Sequence, residues 1–157
     1  MSAIAIGNGA THKTEGGVSA YTIICKDNPA NASGVISSVS IWCYNALTGL
    51  RLGTFYLVSG TTYKCRDSAS VTSSAQAQTF TGLSLAVVAG DFIGYYTTTG
   101  AIASDTTSGG TLLYVAGEYI DPGDSASFGS VGNTLSLGGA GITPAGVSPN
   151  FLPFFWA

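Results

Sequence analysis

The chain has 157 residues, a net charge of −3 and only 8% charged residues. Ordinary soluble domains carry roughly a quarter, so uncharged side chains must cover most of this surface. The basic residues form no cluster, which argues against a nucleic-acid-binding protein because phosphate contacts need grouped Lys and Arg. No apolar run approaches the roughly 18 residues of a membrane span, and the first residues lack the pattern of a signal peptide. We therefore expect a protein that neither binds nucleic acid nor inserts into a membrane.

The first half of the chain shows the alternation of β-strands. One domain over residues 1–157 suits the length. Ile4 and Ile6 indicate a short edge strand, and residues 18–26 carry apolar side chains in both phases, which is typical of a strand covered on both faces. Residues 35–45 alternate most clearly, with core positions predicted at Val35, Val39, Ile41 and Cys43.

Two further strands are predicted around the corner Ala89-Gly90-Asp91. Leu83, Leu85 and Val87 alternate with small residues, and an apolar run follows the corner through Tyr96. Gly and Asp favour tight turns, so we expect these two strands to form a hairpin at the centre of the domain.

The sequence predicts an all-β fold. Short strands separated by Gly, Pro, Asn and Ser cover the chain, and no window has a helical period. We expect a two-sheet antiparallel β-sandwich of jelly-roll type. Residues 125–157 hold no charged residue. The glycine-rich run 138–141 in this tail predicts a loop or a packed surface rather than an interior strand.

Several turn-and-strand motifs resemble largely uncharacterised β-sandwich proteins that are common in phage and environmental genomes. The similarity extends over roughly residues 18–120 and rests on the segments 28–34, Val39-Ser40-Ile41-Trp42, Gly53-Thr54-Phe55-Tyr56, Phe80-Thr81-Gly82-Leu83 and 90–95. The resemblance implies a virion-associated or extracellular setting and supplies no catalytic residues.

Catalytic and redox motifs are scarce. His12 is the only histidine and lies in a polar loop, without a second histidine at metal-protease spacing or a Gly-x-Ser-x-Gly motif. We therefore expect no enzymatic activity. Cys25, Cys43 and Cys65 are odd in number and fall within strand-like patterns, which favours small buried side chains. A bridge between Cys25 and Cys43 is the alternative.

Glu118, Asp121 and Asp124 form the only acidic cluster. Calcium accepts six to eight oxygen ligands in flexible geometry, so these carboxylates are candidate Ca²⁺ ligands. The segment Asp121-Pro122-Gly123-Asp124 is equally typical of an ordinary β-turn. No other cofactor is expected.

Trp42, Tyr44 and Tyr56 are candidate ligand-binding residues. If their strands are neighbours, these aromatic side chains form a platform that suits stacking against sugar rings, with Arg51 and Asn45 adding hydrogen bonds. The alternative is that a second sheet, a loop or another subunit covers this face.

The aromatic segment, which we define as residues 151–156, is the strongest interface candidate. Fully burying one such apolar side chain contributes about 1.5–3 kcal/mol, so we expect the segment to complete the domain or to pack against another copy. Its apolar side chains are Phe151, Leu152, Phe154, Phe155 and Trp156.

The favoured hypothesis is a structural protein that self-assembles into a homo-oligomer or filament, on a virion surface or in an extracellular coat. Low charge, the uncharged residues 125–157 and the aromatic segment support it. A lectin-like carbohydrate-binding module is the alternative.

Overall fold

The computed structural model describes residues 3–16, 18–73 and 76–144, and every regular element in that part of the chain is a β-strand. The all-β prediction is therefore confirmed. The strands are β1 (Ala3–Gly7), β2 (Glu15–Gly16), β3 (Tyr21–Cys25), β4 (Gly34–Trp42), β5 (Arg51–Ser59), β6 (Thr62–Ser70), β7 (Ala77–Phe80), β8 (Leu85–Val87), β9 (Phe92–Tyr96), β10 (Ala103–Asp105), β11 (Leu112–Ala116), β12 (Ser125–Ser127), β13 (Gly129–Val131), β14 (Thr134–Leu135) and β15 (Leu137–Ile142).

The strands form three antiparallel sheets. A five-stranded sheet has the order β1-β15-β4-β7, with β8 also paired to β4. A seven-stranded sheet has the order β12-β6-β5-β9-β3-β11-β13, and β14-β10-β2 form a small third sheet. The chain thus adds a third sheet to the two that were expected, and the jelly-roll assignment stays a prediction.

The seven-stranded sheet is nearly closed and barrel-like. Its two edge strands, β12 and β13, are separated in the chain by Phe128 alone. Phe128 is buried, and its ring lies edge-on to Phe55 and Tyr63 at centroid distances of 6.4 Å and 5.7 Å. These rings form one core inside the curled sheet together with Ile24, Cys65, Leu113 and Ile120.

A second, larger core lies between the five-stranded sheet and the opposite face of the seven-stranded sheet. Strand β3 serves both cores, because Ile23 and Cys25 point into the larger core while Ile24 points into the curled sheet. The prediction that this strand is covered on both faces is confirmed.

The predicted hairpin around Gly90 is wrong. Strand β8 pairs with β4 in the five-stranded sheet, whereas β9 pairs with β3 and β5 in the seven-stranded sheet. The corner therefore crosses between sheets. Asp91 is only 2% exposed and fixes this corner by accepting hydrogen bonds from the Val88 amide and the Arg66 guanidinium.

The glycine-rich run also differs from the expectation, because it forms an interior strand. β15 lies between β1 and β4. A Cβ atom at Gly138 would overlap the Asn8 carbonyl oxygen, and one at Gly141 would overlap the Val35 carbonyl oxygen. The glycines therefore permit close backbone approach within the sheet, a known use of glycine in strands.

A bulge in β4 shifts the predicted core positions. Ala140 faces Ser38 while Gly141 faces Ile36, so Ser37 has no opposite residue. The extra residue reverses the phase of the strand. Ile36 consequently enters the core, and Val35, which was expected there, is only partly buried.

Candidate functional site

The predicted aromatic platform is divided between two sheets. Trp42 ends β4 in the five-stranded sheet, whereas Tyr56 lies in β5 of the seven-stranded sheet, and these two strands are not neighbours. The Trp42 ring meets His12 edge-on at 5.4 Å, and the Tyr56 ring lies 4.4 Å from the Arg66 guanidinium. The two aromatic side chains therefore do not form one stacking surface.

Tyr44 lies after β4, is 51% exposed and borders a cleft of about 330 Å³. Asn45 lines the same cleft, and its side-chain oxygen accepts a hydrogen bond from the Ala101 amide at 2.8 Å. The structure thus retains one of the predicted aromatic side chains at an accessible site and places Asn45 beside it.

A larger cleft of about 670 Å³ lies next to it and includes Arg51. The two clefts share Leu47 and Ser73 in their walls. Hydroxyl groups are frequent in the larger cleft, contributed by Thr48, Ser70, Thr72, Ser73, Tyr96 and Thr98. We call the two adjoining depressions the hydroxyl cleft.

Backbone hydrogen bonds fix the walls of the hydroxyl cleft. The Thr98 amide donates to the Thr48 carbonyl at 2.8 Å, and the hydroxyls of Thr48 and Thr99 lie 2.6 Å apart. On the other side, the Val71 amide donates to the Leu50 carbonyl at 3.0 Å. The cleft is therefore preorganised, which lowers the ordering cost of binding a ligand.

The sequence indicated the turn around Thr98 but gave no sign that it would face Thr48. These residues are about 50 positions apart in the chain, and the isolated bridges Thr48–Thr99 and Cys43–Ile102 join the two segments. The sequence also does not indicate that Tyr96 lines the cleft, because it predicts the strand that contains Tyr96 but not the strand that lies beside it.

The structure joins two predicted sites by placing Arg51 within the acidic cluster. One oxygen each from Glu118, Asp121 and Asp124 lies within 4.8 Å of the others. The Arg51 guanidinium pairs with Glu118 and with Asp121, the latter at 2.6 Å, while Asp124 accepts a hydrogen bond from the Asp121 amide.

Two opposing effects act on the pKa of Arg51 in this ion-pair network. Burial alone would lower the pKa of Arg51, but the hydrogen bonds and charges of Asp121 and Glu118 outweigh it and raise the pKa above its usual value. The guanidinium thus supplies the positive charge that a metal ion would otherwise bring to these carboxylates. The arrangement favours an ion pair, and a Ca²⁺ ion would have to displace Arg51.

The three thiols are free and buried, as expected for small core side chains. Burial raises the pKa of Cys25 to about 11 and that of Cys65 to about 12. Both are therefore protonated near neutral pH and poor nucleophiles. The alternative bridge between Cys25 and Cys43 is absent.

The aromatic segment, with Phe151, Leu152, Phe154, Phe155 and Trp156, lies outside the described residues. Its predicted role at an interface stays a prediction.

Comparison with protein-family models, with curated proteins and with solved structures finds no match for this chain. Within the described ranges, no helix is long and apolar enough to cross a membrane.

Proposed function

We propose that this chain is a non-enzymatic structural protein whose copies assemble with one another, on a virion surface or in an extracellular filament or coat. The observation that carries the proposal is that most of its few charged side chains are engaged in ion pairs or hydrogen bonds within the fold. The jelly-roll assignment stays a prediction that the proposal does not need.

The ion pairs account for much of the charge. Lys13 pairs with Asp105 at 2.7 Å, and Arg66 pairs with the buried Asp91. Arg51 pairs with two carboxylates, as described above. These basic side chains are therefore neutralised by partners on the same chain.

Several remaining carboxylates bind backbone amides. Asp27 accepts a hydrogen bond from the Thr111 amide at 3.0 Å, and Asp67 accepts bonds from Ser68 and Ala86, each at 2.9 Å. Such carboxylates hold loops and strand ends in place. These carboxylates are thus directed at backbone groups of the same chain rather than at an approaching copy.

The solvent face of the five-stranded sheet is a surface on which uncharged side chains are grouped. Between the core positions of β1, β4 and β15, small uncharged side chains face outward and line a shallow trough of about 310 Å³, including those of Ala5, Ser38, Ser40 and Ala140. A surface without charge lacks the electrostatic repulsion that opposes association of protein copies. This supports close packing of copies.

Light scattering over a range of concentrations, combined with electron microscopy, tests the proposal. We expect particles larger than one chain that persist in 1 M salt, because no charge pair is required between copies. The variant Ala140→Lys, which adds a charge to the exposed sheet face, should reduce assembly. Val58→Lys is the matched control, since Val58 is 53% exposed on a different sheet. Monomers at every concentration would refute the proposal.

Carbohydrate binding is the second candidate, and the hydroxyl cleft is the observation that favours it. Its hydroxyl groups can exchange hydrogen bonds with sugar hydroxyls, and Tyr44 offers an accessible ring at one end. We expect Tyr44→Ala to abolish glycan-array signals. Leu57→Ala is the control and should leave them unchanged, because Leu57 is also an apolar residue that is 50% exposed. Absence of any signal from the unmodified protein would exclude this function.

A further inference from the structure

An apolar groove lies at one edge of the seven-stranded sheet, outside the hydroxyl cleft. Val18, Tyr114 and Val131 border it and are 54%, 40% and 43% exposed. Buried apolar side chains form its floor, contributed by Ile23, Ile102, Leu112 and Leu135. Exposed apolar side chains grouped around a depression are characteristic of a protein contact site.

The side chains that line the groove determine which kind of side chain can bind there. Apart from the Tyr114 hydroxyl, its polar side chains are those of Ser104 and Asn133, and the Asn133 amide donates a hydrogen bond to the Ser104 hydroxyl at 3.4 Å. None of the described residues that line it is charged. The groove holds about 150 Å³, a volume that in an apolar cavity accommodates one benzene-sized ring. It therefore suits one aromatic side chain from an uncharged segment.

The groove also adjoins an available backbone edge. Strand β13 pairs with β11 on one side, and no strand of the described residues pairs with its other side. All three residues of β13 are exposed. An extended segment that places a side chain in the groove can thus also bind backbone groups of β13.

The chain itself contains a segment of matching chemistry. The aromatic segment, residues 151–156, combines aromatic side chains with a complete lack of charge. Pro153 within it lacks an amide donor, which suits an edge position. No other uncharged stretch of this sequence holds so many aromatic residues together.

The direction of β15 favours the groove of a second copy. Leu135 lies at the groove, and β15 then carries the chain away from it to Ile142, about 17 Å beyond Leu137 at about 3.3 Å per residue. Nine steps separate Ile142 from Phe151, a span of at most about 32 Å. Returning to its own groove would require the chain to reverse its direction directly after β15, whereas the groove of a neighbouring copy requires no such reversal.

We propose that the aromatic segment of one copy docks in the apolar groove of a second copy, with one aromatic side chain between Val18, Tyr114 and Val131. This inference rests on the proposed function, because it names one contact between the copies in addition to the face of the five-stranded sheet.

Photo-crosslinking in the full chain tests the inference. Phe154 is replaced by benzoylphenylalanine, and ¹⁵N-labelled and unlabelled copies are mixed before irradiation. We expect mass spectrometry to find cross-links between labelled and unlabelled copies at the peptides containing Val18, Tyr114 or Val131. The additional substitution Val131→Asp should lower the yield at least tenfold, whereas Val58→Asp, at a similarly exposed valine, should leave it unchanged.

The outcomes separate this inference from the proposed function. Cross-links elsewhere, or none, in a chain that still forms large particles would overturn the docking inference and leave self-assembly standing. Cross-links to the groove only within single copies, in a chain that stays monomeric, would overturn both. An unchanged yield in Val131→Asp, with the fold verified by circular dichroism, would also overturn the inference.

Discussion

Replacing Phe128 by alanine tests whether this one side chain holds the seven-stranded sheet closed. Phe128 is 4% exposed and contacts Phe55 and Tyr63 edge-on. Its amide also donates to the Thr61 carbonyl at 2.9 Å, at the tip of the β5–β6 hairpin. Removing a buried phenylalanine ring typically costs about 3–5 kcal/mol. For a chain of this length, that corresponds to a melting temperature lower by about 6–20 °C.

Urea unfolding followed by circular dichroism measures this loss. The control Leu57→Ala removes an exposed side chain near the same hairpin and should change the free energy of unfolding by less than about 0.5 kcal/mol. Both variants need testing at several concentrations, because association of the folded state raises apparent stability. A Phe128→Ala cost below about 1 kcal/mol, or one equal to that of Leu57→Ala, would refute the closure argument.

Three further predictions concern acid stability, thiols and packing. The hydrogen bond from its lysine partner lowers the pKa of Asp105 from 3.8 to about 2, so this carboxylate stabilises the fold above about pH 4 and its contribution disappears as the pH falls towards 2. Asp105→Asn should therefore flatten the acid part of a stability–pH curve, and an unchanged slope would contradict this. Cys25 and Cys65 should resist a thiol reagent at pH 8 until urea unfolds the protein, and rapid labelling of the folded chain would show that burial does not protect them. Gly141→Ala should cost about 1–3 kcal/mol by overpacking against β4, whereas Gly132→Ala, in open space, should not. Equal melting temperatures would disprove the packing explanation.

The sequence predicted most strands because alternation is a local property. It could not predict which strands pair, and the corner at Gly90 shows why. Gly and Asp favour a tight turn both in a hairpin and in a connection that crosses from one sheet to the other. What decides between them is the set of distant partners, including Arg66, which binds Asp91 from another strand.

The candidate site shows the same limit. Alternation correctly separated Trp42 from the core side chains of β4, but a platform with Tyr56 required β4 and β5 to be neighbours, and they belong to different sheets. The sequence predicts Arg51 as a residue of a ligand site and Glu118 as a ligand of a metal ion. Their contact depends on a loop returning to the start of β5, which no local pattern indicates.

The position of β15 constrains how the chain can fold during synthesis. Within the part of the chain that the structure describes, strand β1 pairs only with β15, and β4 gives one of its edges to β15. Until residues 137–142 have left the ribosome, the first strand therefore has no sheet to join, and an edge of β4 stays open. Late pairing of distant strands slows folding and prolongs the exposure of edges that other chains can bind. Nascent copies translated from one mRNA are close to one another during that interval. The expression level and the temperature should therefore affect the fraction of chains that form the native sheets.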